Sequence, residues 1–367
     1  MYLRPMIRPS PNILIAPLNW GLGHATRCMP IIDALLERGI TPVLASDGRA
    51  LDLLRAEYPQ LNCLELPAYN VTYGSDKMIR AMAGQLPKIV LAIQQERQAI
   101  KKIVAAHKIN IIISDNRYGV HHRTTRNIFI THQLNIKIPF APLGFLVNKI
   151  NHYYIRRFHT CWVPDYPQSP RLAGTLSDNP GLPSVQYLGP LSRMKKLDVA
   201  TQYQVVAVLS GPEPQRSRLE EIILKQLEES DFKAVLVRGI TDDKKVLKSD
   251  NKNILIHNYL TATALNQAIV ASEIVVCRSG YSSIMDLIKL DKKAILIPTP
   301  GQTEQEYLAQ YLSQKGISDT AFGGVFTIQK QGQFNLKKAI FELQNINANK
   351  VTTRPTYTNW LDDLLAQ

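Results

Sequence analysis

Carboxylate and amide side chains in the C-terminal half follow segments that could bind an anion. Asp286 lies in a run with apolar residues at helical spacing, after the strand-like Ile274–Cys277 and the loop Arg278–Gly280. The Glu-Gln-Glu sequence of residues 304–306 crowds the first turn of a second predicted helix. Free N–H groups at helix N-termini attract anions, and carboxylates accept hydrogen bonds from hydroxyl groups. This combination favours a site for a nucleoside diphosphate sugar.

A simpler explanation accounts for the same residues. Thr303 and Glu306 have the spacing of a capping box, in which both side chains bind backbone N–H groups at a helix start. Asp286 is then only a solvated acid on a helix surface. Spacing alone favours neither explanation.

A glycine loop in the N-terminal half ends in a histidine. The strand-like run Asn12–Pro17 precedes the loop Asn19–His24, and a helix is predicted from there to Gly39, with its regular part beginning near Pro30. The pKa of a histidine lies near neutrality, so His24 is suited to accept a proton from an attacking hydroxyl group. The alternative is a histidine that only hydrogen-bonds its own loop.

The glycine loop also has some features of a dinucleotide-binding site. Asp47 follows the second predicted strand, Thr41–Ser46, where such sites place a ribose-binding acid. However, Thr26 occupies the place of the third glycine. A dehydrogenase is therefore a minor alternative, and it leaves the C-terminal residues unexplained.

Alternating strand-like and helix-like segments in both halves predict how these residues are positioned. The pattern is typical of α/β proteins with doubly wound parallel sheets, and 367 residues suffice for two such domains. We predict an N-terminal, acceptor-binding Rossmann-like domain at 1–165 and a Pro- and Gly-rich connection at 166–198. A C-terminal, donor-binding Rossmann-like domain is predicted at 199–351, with a last helix at 352–367 that packs back on the first domain.

The composition favours anionic partners inside the cell. The chain has 43 Lys and Arg residues against 30 Asp and Glu residues, a net charge of +13. No motif that reads RNA or DNA accompanies this excess, so nucleic acid is not an expected partner. The first ten residues lack the apolar core of a secretory signal, and the four cysteines are far apart, as expected for a cytoplasmic protein with free thiols.

One stretch of the N-terminal half combines aromatic and basic side chains. Residues 137–162 include Phe140, Phe145, Lys149 and Arg157, and such a segment can lie at an anionic bilayer surface without crossing it. A core-facing helix whose cations reach solvent is the more favoured alternative on sequence alone.

The order of residues in the C-terminal half resembles the donor-binding half of glycosyltransferase family 28. Arg278-Ser279-Gly280, then Asp286, then a Pro-rich turn and residues 304–307 follow the family pattern. The family includes the N-acetylglucosaminyltransferase that completes the lipid-linked peptidoglycan precursor, and plant galactolipid synthases. The resemblance implies a GT-B architecture, with two Rossmann-like domains facing each other across a cleft. It also implies that Asp286 holds the ribose diol.

The resemblance further implies which residues bind each substrate. The glycine loop matches the family's first loop, which implies that His24 is the general base. Glu306 stands where the family has a second glutamine for the hexose hydroxyls. The implied donor-binding residues are Arg193, Ser210, Gly211, Gln215, Leu260, Arg278, Ser279, Gly280, Tyr281, Asp286, Gln302, Glu304, Gln305 and Glu306. The implied acceptor-binding residues are Gly21, Gly23, Asp115, His132 and Gln133.

Several of these assignments have ordinary alternatives. Arg193 is as well explained as a solvated arginine, and Asp115, His132 and Gln133 as polar residues at strand ends. Pro212 and Pro214 remove N–H groups from the loop that carries Ser210 and Gly211.

The predicted activity is a metal-independent, inverting transfer of a hexose or N-acetylhexosamine. The donor is a nucleotide sugar, expected to be a UDP-sugar, and the acceptor is a hydroxyl group of a glycan or a lipid-linked molecule. No further cofactor is expected. A nucleotide-sugar 2-epimerase of the same fold and a non-catalytic nucleotide-sugar-binding protein are the alternatives. A lipid-linked acceptor would favour a peripheral position on the cytoplasmic membrane face.

Overall fold

The structure is a computed structural model of the chain, and it describes most of the 367 residues. The described ranges are 11–69, 78–138, 140–240, 247–314, 324–346 and 360–365, with backbone only for 78–87. Two sheets organise these residues, one in each half of the chain.

The first sheet has seven parallel strands in the order β3-β2-β1-β4-β5-β6-β7. The strands are β1 (Ile13–Pro17), β2 (Val43–Ser46), β3 (Cys63–Glu65), β4 (Ile111–Asp115), β5 (Arg126–Ile130), β6 (Thr160–Val163) and β7 (Val185–Tyr187). The helices are α1 (Gly23–Glu37), α2 (Gly48–Glu57), α3 (Met78–His107) and α4 (Ala141–Ile155).

Helices cover both faces of this sheet because successive strand residues point to opposite sides. Ile13 and Ile15 pack with the apolar face of α1, whereas Leu14 and Ala16 pack with residues of α3. The strands are therefore continuous apolar runs, as the sequence predicted for buried parallel strands.

Helix α1 begins earlier than the sequence predicted. It starts at Gly23, so Pro30 lies inside it and not near its first regular turn. The Thr26 N–H donates to the Leu22 carbonyl (2.9 Å), and the Thr26 hydroxyl donates to the Gly23 carbonyl (3.0 Å). Contacts of His24 and Arg27, described below, hold this first turn in place, which outweighs the local preference of proline.

The second sheet has six parallel strands in the order β10-β9-β8-β11-β12-β13. Its strands are β8 (Tyr203–Val208), β9 (Ala234–Val237), β10 (Ile254–His257), β11 (Ser272–Cys277), β12 (Lys293–Leu296) and β13 (Val325–Ile328). Its helices are α5 (Gln215–Glu228), α6 (Ala262–Val270), α7 (Tyr281–Lys289), α8 (Thr303–Ser313) and α9 (Leu336–Gln344). The strand order reverses between β8 and β11, and ligands of open α/β sheets bind at the carboxyl ends of such strands.

The chain between the sheets and its last described helix both contact the first domain. β7 lies inside the predicted connection of residues 166–198 and pairs with β6 as an edge strand. In α10 (Trp360–Leu365), the Trp360 ring packs edge-on against Trp162, with 5.2 Å between the ring centroids. The Leu364 carbonyl accepts a hydrogen bond from Arg126 (3.2 Å). Residues 352–359 and 366–367 of the predicted last helix lie outside the described residues.

Candidate active site

The N-terminus of α1 faces the N-terminus of α7 across the two domains. The Ser282 hydroxyl of α7 donates to the Gly23 carbonyl (2.9 Å). A Cβ atom at position 23 would lie 2.8 Å from the Ser282 oxygen, so a larger residue there would displace the Ser282 hydroxyl. The glycine loop is thereby held against the mouth of the C-terminal domain.

His24 stands on a buried ion cluster next to this contact. Its Nδ1 lies 2.8 Å from an Asp115 oxygen, and Arg27 donates to both carboxylate oxygens of Asp115, with Nε at 2.5 Å. Asp115 has no exposed surface and Arg27 is 2% exposed. The Nε2 atom of His24 makes no hydrogen bond to any residue that the structure describes, and 14% of the side chain is exposed. The cluster therefore orients the imidazole with one nitrogen available at the cleft.

Charge and burial set the protonation of this cluster. Burial, followed by the charge of Arg27, lowers the pKa of His24 below its ordinary value of 6.5, against the opposing effect of Asp115. Burial alone would raise the pKa of Asp115, but the charges of Arg27 and His24 outweigh it and bring the pKa to about 2. At neutral pH the imidazole is therefore neutral and Asp115 is ionised, which is the state that a general base requires.

Asp115, which was predicted to contact the acceptor, is enclosed by side chains of its own domain, and the acceptor contact stays a prediction. Its oxygens bind His24 and Arg27, and the Cys28 thiol lies 3.5 Å from one of them. A carboxylate so enclosed positions the histidine. Arg27, the residue that links Asp115 to the histidine, was missed by the sequence analysis, although its place three residues after His24 puts both on one helix face.

His132 and Gln133 follow β5 and contact the second domain. The imidazole of His132 stacks on the Tyr281 ring, with 4.0 Å between centroids and 10° between planes. Its Nε2 lies 2.8 Å from a Glu304 oxygen, and the Gln133 amide donates to the other oxygen. Burial raises the pKa of Glu304, but His132 and the other cations nearby outweigh it and lower the pKa. These predicted acceptor and donor residues therefore meet directly across the cleft.

Asp286 lies on α7 next to the chain that joins the domains. The Ser192 hydroxyl donates to its carboxylate at 2.5 Å. Burial raises the pKa of Asp286 to about 6, although this hydrogen bond and the charge of Arg193 act in the opposite direction. Neither partner was identified from sequence as a contact of Asp286, because Ser192 is 94 residues away along the chain.

Arg193 points to the first domain. One of its terminal nitrogens lies 3.9 Å from a Glu57 oxygen and 3.7 Å from the Met29 sulfur. The expected diphosphate contact of Arg193 is therefore not evident in this arrangement, and it stays a prediction.

Arg278 is a buried cation that binds backbone carbonyls. It is 1% exposed and donates to the carbonyls of Ile297, Pro298 and Gln215. Burial lowers the pKa of Arg278 to about 10, so the guanidinium stays charged at neutral pH.

Two buried polar atoms beside the Gly211 loop have no hydrogen-bond partner among the residues that the structure describes. These are Nε of Arg278 and the hydroxyl oxygen of Thr299, which is 1% exposed. A Cβ built on Gly211 would lie 3.9 Å from the first atom and 3.5 Å from the second. The Gly211 loop, Arg278 and Thr299 therefore meet at one place with unused polar groups, and Thr299 was not predicted.

The first turn of α8 is organised differently from a capping box. The Thr303 hydroxyl donates to the Lys137 carbonyl of the first domain (3.1 Å), so it does not cap its own helix. Glu306 accepts from the N–H of Gly301 at 2.9 Å. Thr303 contacts the first domain and Glu306 binds the preceding turn. The capping box that the spacing of these two residues suggested is therefore not formed.

Gln305 fixes the turn before α8. Its side-chain oxygen accepts from the Thr299 N–H (2.9 Å), and its amide donates to Gln302 (2.5 Å). The Ser279 hydroxyl donates to the Gln305 carbonyl (2.8 Å). These contacts join the loop after β11 to the turn before α8.

The other predicted site residues occupy the surrounding loops and the first positions of helices. Gly280 directly precedes α7, and the Tyr281 hydroxyl donates to the Pro164 carbonyl (2.7 Å). Gly21 and Ser210 are exposed, Gln215 begins α5, and Leu260 packs partly buried against the core. In the described ranges, no group of three His, Cys, Asp or Glu side chains is arranged to hold a metal ion.

Comparison with known proteins identifies the second domain. Residues 206–349 match the glycosyltransferase family 28 C-terminal domain. The chain is a glycosyltransferase with a family 28 C-terminal domain. It is 23% identical over 333 residues to an uncharacterized glycosyltransferase of Methanosarcina mazei, covering 83% of this chain and 84% of that protein.

Two further proteins are similar to this glycosyltransferase. The UDP-N-acetylglucosamine--N-acetylmuramyl-(pentapeptide) pyrophosphoryl-undecaprenol N-acetylglucosamine transferase of Acetivibrio thermocellus is 30% identical over 135 residues, 34% of this chain and 36% of that protein. The crystal structure of the glycotransferase of kitacinnamycin superposes with a TM-score of 0.61 at 15% identity, covering 92% of this chain and 91% of that one. The two facing α/β domains are the GT-B fold, as the resemblance predicted.

Proposed function

We propose that this glycosyltransferase moves a hexose or N-acetylhexosamine from a UDP-sugar to a hydroxyl group of a glycan or lipid-linked acceptor. The observation that carries the proposal is His24, held by Asp115 and Arg27 with Nε2 free at the cleft, opposite the N-termini of α7 and α8. The similarity to the Acetivibrio thermocellus enzyme, whose name includes UDP-N-acetylglucosamine, supports the choice of UDP.

In the proposed reaction His24 acts as the general base. Its Nε2 takes the proton of the acceptor hydroxyl while that oxygen attacks the anomeric carbon. The new bond forms on the face opposite the leaving diphosphate, the bond from the anomeric carbon to the phosphate oxygen breaks, and the configuration inverts. Nδ1–H of His24 points to Asp115, which stabilises the imidazolium that forms.

Cationic and N–H groups are placed to stabilise the leaving diphosphate. Arg278 holds a charge without a carboxylate partner among the described residues, and its Nε is unused beside Gly211. The N-terminus of α7 adds the positive end of a helix dipole. Groups already oriented toward developing negative charge lower the barrier without a metal ion.

Asp286 is proposed to bind the ribose hydroxyl groups, and replacing it tests that role. In Asp286→Asn we expect the donor KM to rise about 10-fold or more, because hydrogen bonds to a charged acceptor contribute roughly 1.5–3 kcal/mol. Since the pKa is raised from 3.8 to about 6 in the folded protein, stability falls as pH rises from about 4 through 6, and the loss is complete above that range. The variant should therefore unfold at a higher temperature than the wild type at pH 7.5. An unchanged donor KM would remove Asp286 from the donor site.

Thermal-shift screening across UDP-, GDP- and TDP-sugars tests the choice of donor. We expect stabilisation by UDP-sugars, because a ligand that binds only the folded state raises the melting temperature. Product analysis with the donor alone distinguishes the 2-epimerase, which needs no acceptor. A protein that binds the donor but turns over no acceptor would support the binding-protein alternative.

The proposed acceptor includes lipid-linked molecules because α4 exposes aromatic side chains. Phe145 is 64% exposed and Tyr153 is 55% exposed, and Lys149 lies 4.5 Å from the centre of the Phe145 ring. The opposite side of α4 packs on the core through Asn151 and Ile155, so the helix has one buried and one exposed side. No described helix is long and apolar enough to cross a membrane. A peripheral contact with an anionic membrane surface is thus part of the proposal.

A further inference from the structure

A cluster of basic side chains lies on the sheet face opposite α1 and outside the machinery described above. It consists of Arg97 of α3, His121 after β4 and Arg157 after α4. α3 packs on Leu14 and Ile112, whereas α1 packs on Ile13 and Ile15. The two helices therefore cover opposite faces of the first sheet, and the cluster lies on the face covered by α3.

The loop after β4 brings His121 to α3. The Gly119 N–H donates to a Glu96 oxygen (2.9 Å), and the His121 N–H donates to the Gly119 carbonyl (3.0 Å). A Cβ at position 119 would lie 2.4 Å from the Ile93 carbonyl oxygen, so this close approach requires glycine. Arg97, the next residue on α3, lies near enough to His121 that its charge is the largest charge effect on the pKa of that histidine.

The end of α4 closes the other side of the cluster. The His121 ring packs edge-on against Phe158, with 5.4 Å between centroids. Arg157, the preceding residue, lies over the Tyr153 ring at 4.6 Å and donates to the Tyr153 hydroxyl. Arg157 is therefore held at the edge of the cluster, beside the exposed aromatic face of α4.

The cluster has unused donors and, among the described residues, no opposite charge. Nε of Arg97 and Nε2 of His121 are buried and have no hydrogen-bond partner in the part of the chain that the structure describes. Burial, then Arg97, Arg157 and His122, lowers the pKa of His121 to about 4, and none of the charged groups acting on it is acidic. Glu96, the nearest carboxylate in sequence, is already bound to Arg117 and Tyr69. Buried donors left unpaired beside uncompensated cations are the environment that an anion completes.

We propose that Arg97, His121 and Arg157 form a binding site for a phosphate group, separate from the proposed donor site. Arg97 and Arg157 supply charge and N–H donors, and His121 donates from Nε2. The phosphate is either free in solution or carried by a lipid headgroup, and the exposed Tyr153 at the edge of the site fits either source.

The titration of His121 measures this site directly, without any assay of transfer. In NMR spectra of the full-length protein, we expect inorganic phosphate to raise the pKa of His121 by about 1 or more, because an adjacent anion favours the charged imidazole. Vesicles of phosphatidylglycerol, compared with vesicles of phosphatidylcholine, test the headgroup source. A shift with phosphatidylglycerol alone would assign the site to lipid, and a shift with phosphate alone would assign it to the free anion.

Two variants complete the experiment. Arg97→Gln should reduce phosphate affinity about 10-fold, whereas Lys102→Gln, which removes one exposed charge from the same helix, should leave it unchanged. An unchanged His24 resonance confirms that each variant is folded. If neither phosphate, pyrophosphate nor phosphatidylglycerol vesicles change the His121 titration, the proposal is wrong. Equal losses of affinity in both variants would also overturn it, since they would indicate a general charge effect.

Discussion

His24→Ala is expected to reduce turnover by roughly 10²–10⁴-fold, the range that general-base catalysis contributes. The imidazole is the group whose free nitrogen faces the cleft while Asp115, itself bound by Arg27, fixes its other nitrogen. Donor affinity should remain, because the proposed diphosphate and ribose contacts belong to the second domain. Steady-state kinetics with separately measured donor binding distinguish the two effects.

The pH dependence of the wild type tests the same role. Only neutral His24 can take a proton, and burial and Arg27 lower its pKa below 6.5. Activity should therefore be lost as pH falls through this lowered pKa, with no loss near 7. His107→Ala, which removes a histidine from the last turn of α3, is the matched control and should keep full turnover. Wild-type turnover in His24→Ala would exclude the proposed mechanism.

Asp115→Ala is expected to lower the free energy of unfolding by about 3–5 kcal/mol, the cost of leaving a buried charge without its partner. Arg27 is 2% exposed, and the carboxylate of Asp115 accepts from both its Nε and one terminal nitrogen. Without that carboxylate the guanidinium stays buried beside His24 and His132. Urea denaturation at pH 7 measures the change.

Asp52→Ala is the control for that measurement. Asp52 pairs with Arg55 at 3.7 Å on the surface of α2, where both side chains are at least half exposed, and exposed pairs contribute about 0–1 kcal/mol. The double variant Arg27→Met/Asp115→Leu should recover part of the lost stability because it removes the unpaired charge. An Asp115→Ala effect as small as that of Asp52→Ala would show that the buried cluster does not hold the fold.

Acid should remove the contribution of Asp115 in a defined pH range. The pKa of Asp115 is lowered from 3.8 to about 2 in the folded protein. Its contribution to the free energy of unfolding is therefore complete above the pKa of the unfolded chain, 3.8. It is lost as pH falls from about 4 toward 2. The urea midpoint of the wild type should fall across that range more steeply than the midpoint of Asp115→Ala.

Much of the architecture could be predicted because it depends on local patterns. Apolar β-branched runs such as Ile274–Cys277 report a strand that is buried on both faces, whatever its neighbours are. The order of Arg278, Asp286 and residues 304–307 carried the family resemblance. Pro30 shows the limit of local rules, because contacts of the first turn of α1 with β4 outweighed the preference of proline.

The candidate site also combines residues that the sequence predicted with contacts that only the structure shows. His24 and Asp286 were predicted from sequence as site residues, since each stands at a fixed place in a short motif, and those roles stay predictions. The contacts of these residues were not predicted: Asp115, which binds His24, also binds Arg27 from 88 positions away, and Ser192 binds Asp286 from 94. The burial of Asp115 could not be predicted either, because burial is not visible in a strand-end aspartate.

By itself, the sequence determined the alternating α/β pattern, the two loops at which substrates are proposed to bind and the types of side chain present there. Only the tertiary structure decided which of those side chains are buried and paired, such as Asp115 and Arg27, and which face the cleft. It also decided that His132 and Glu304 meet from different domains. The physical reason is that helices and strands follow from patterns between residues close in sequence, whereas pKa values and ion pairs depend on distance and burial in space.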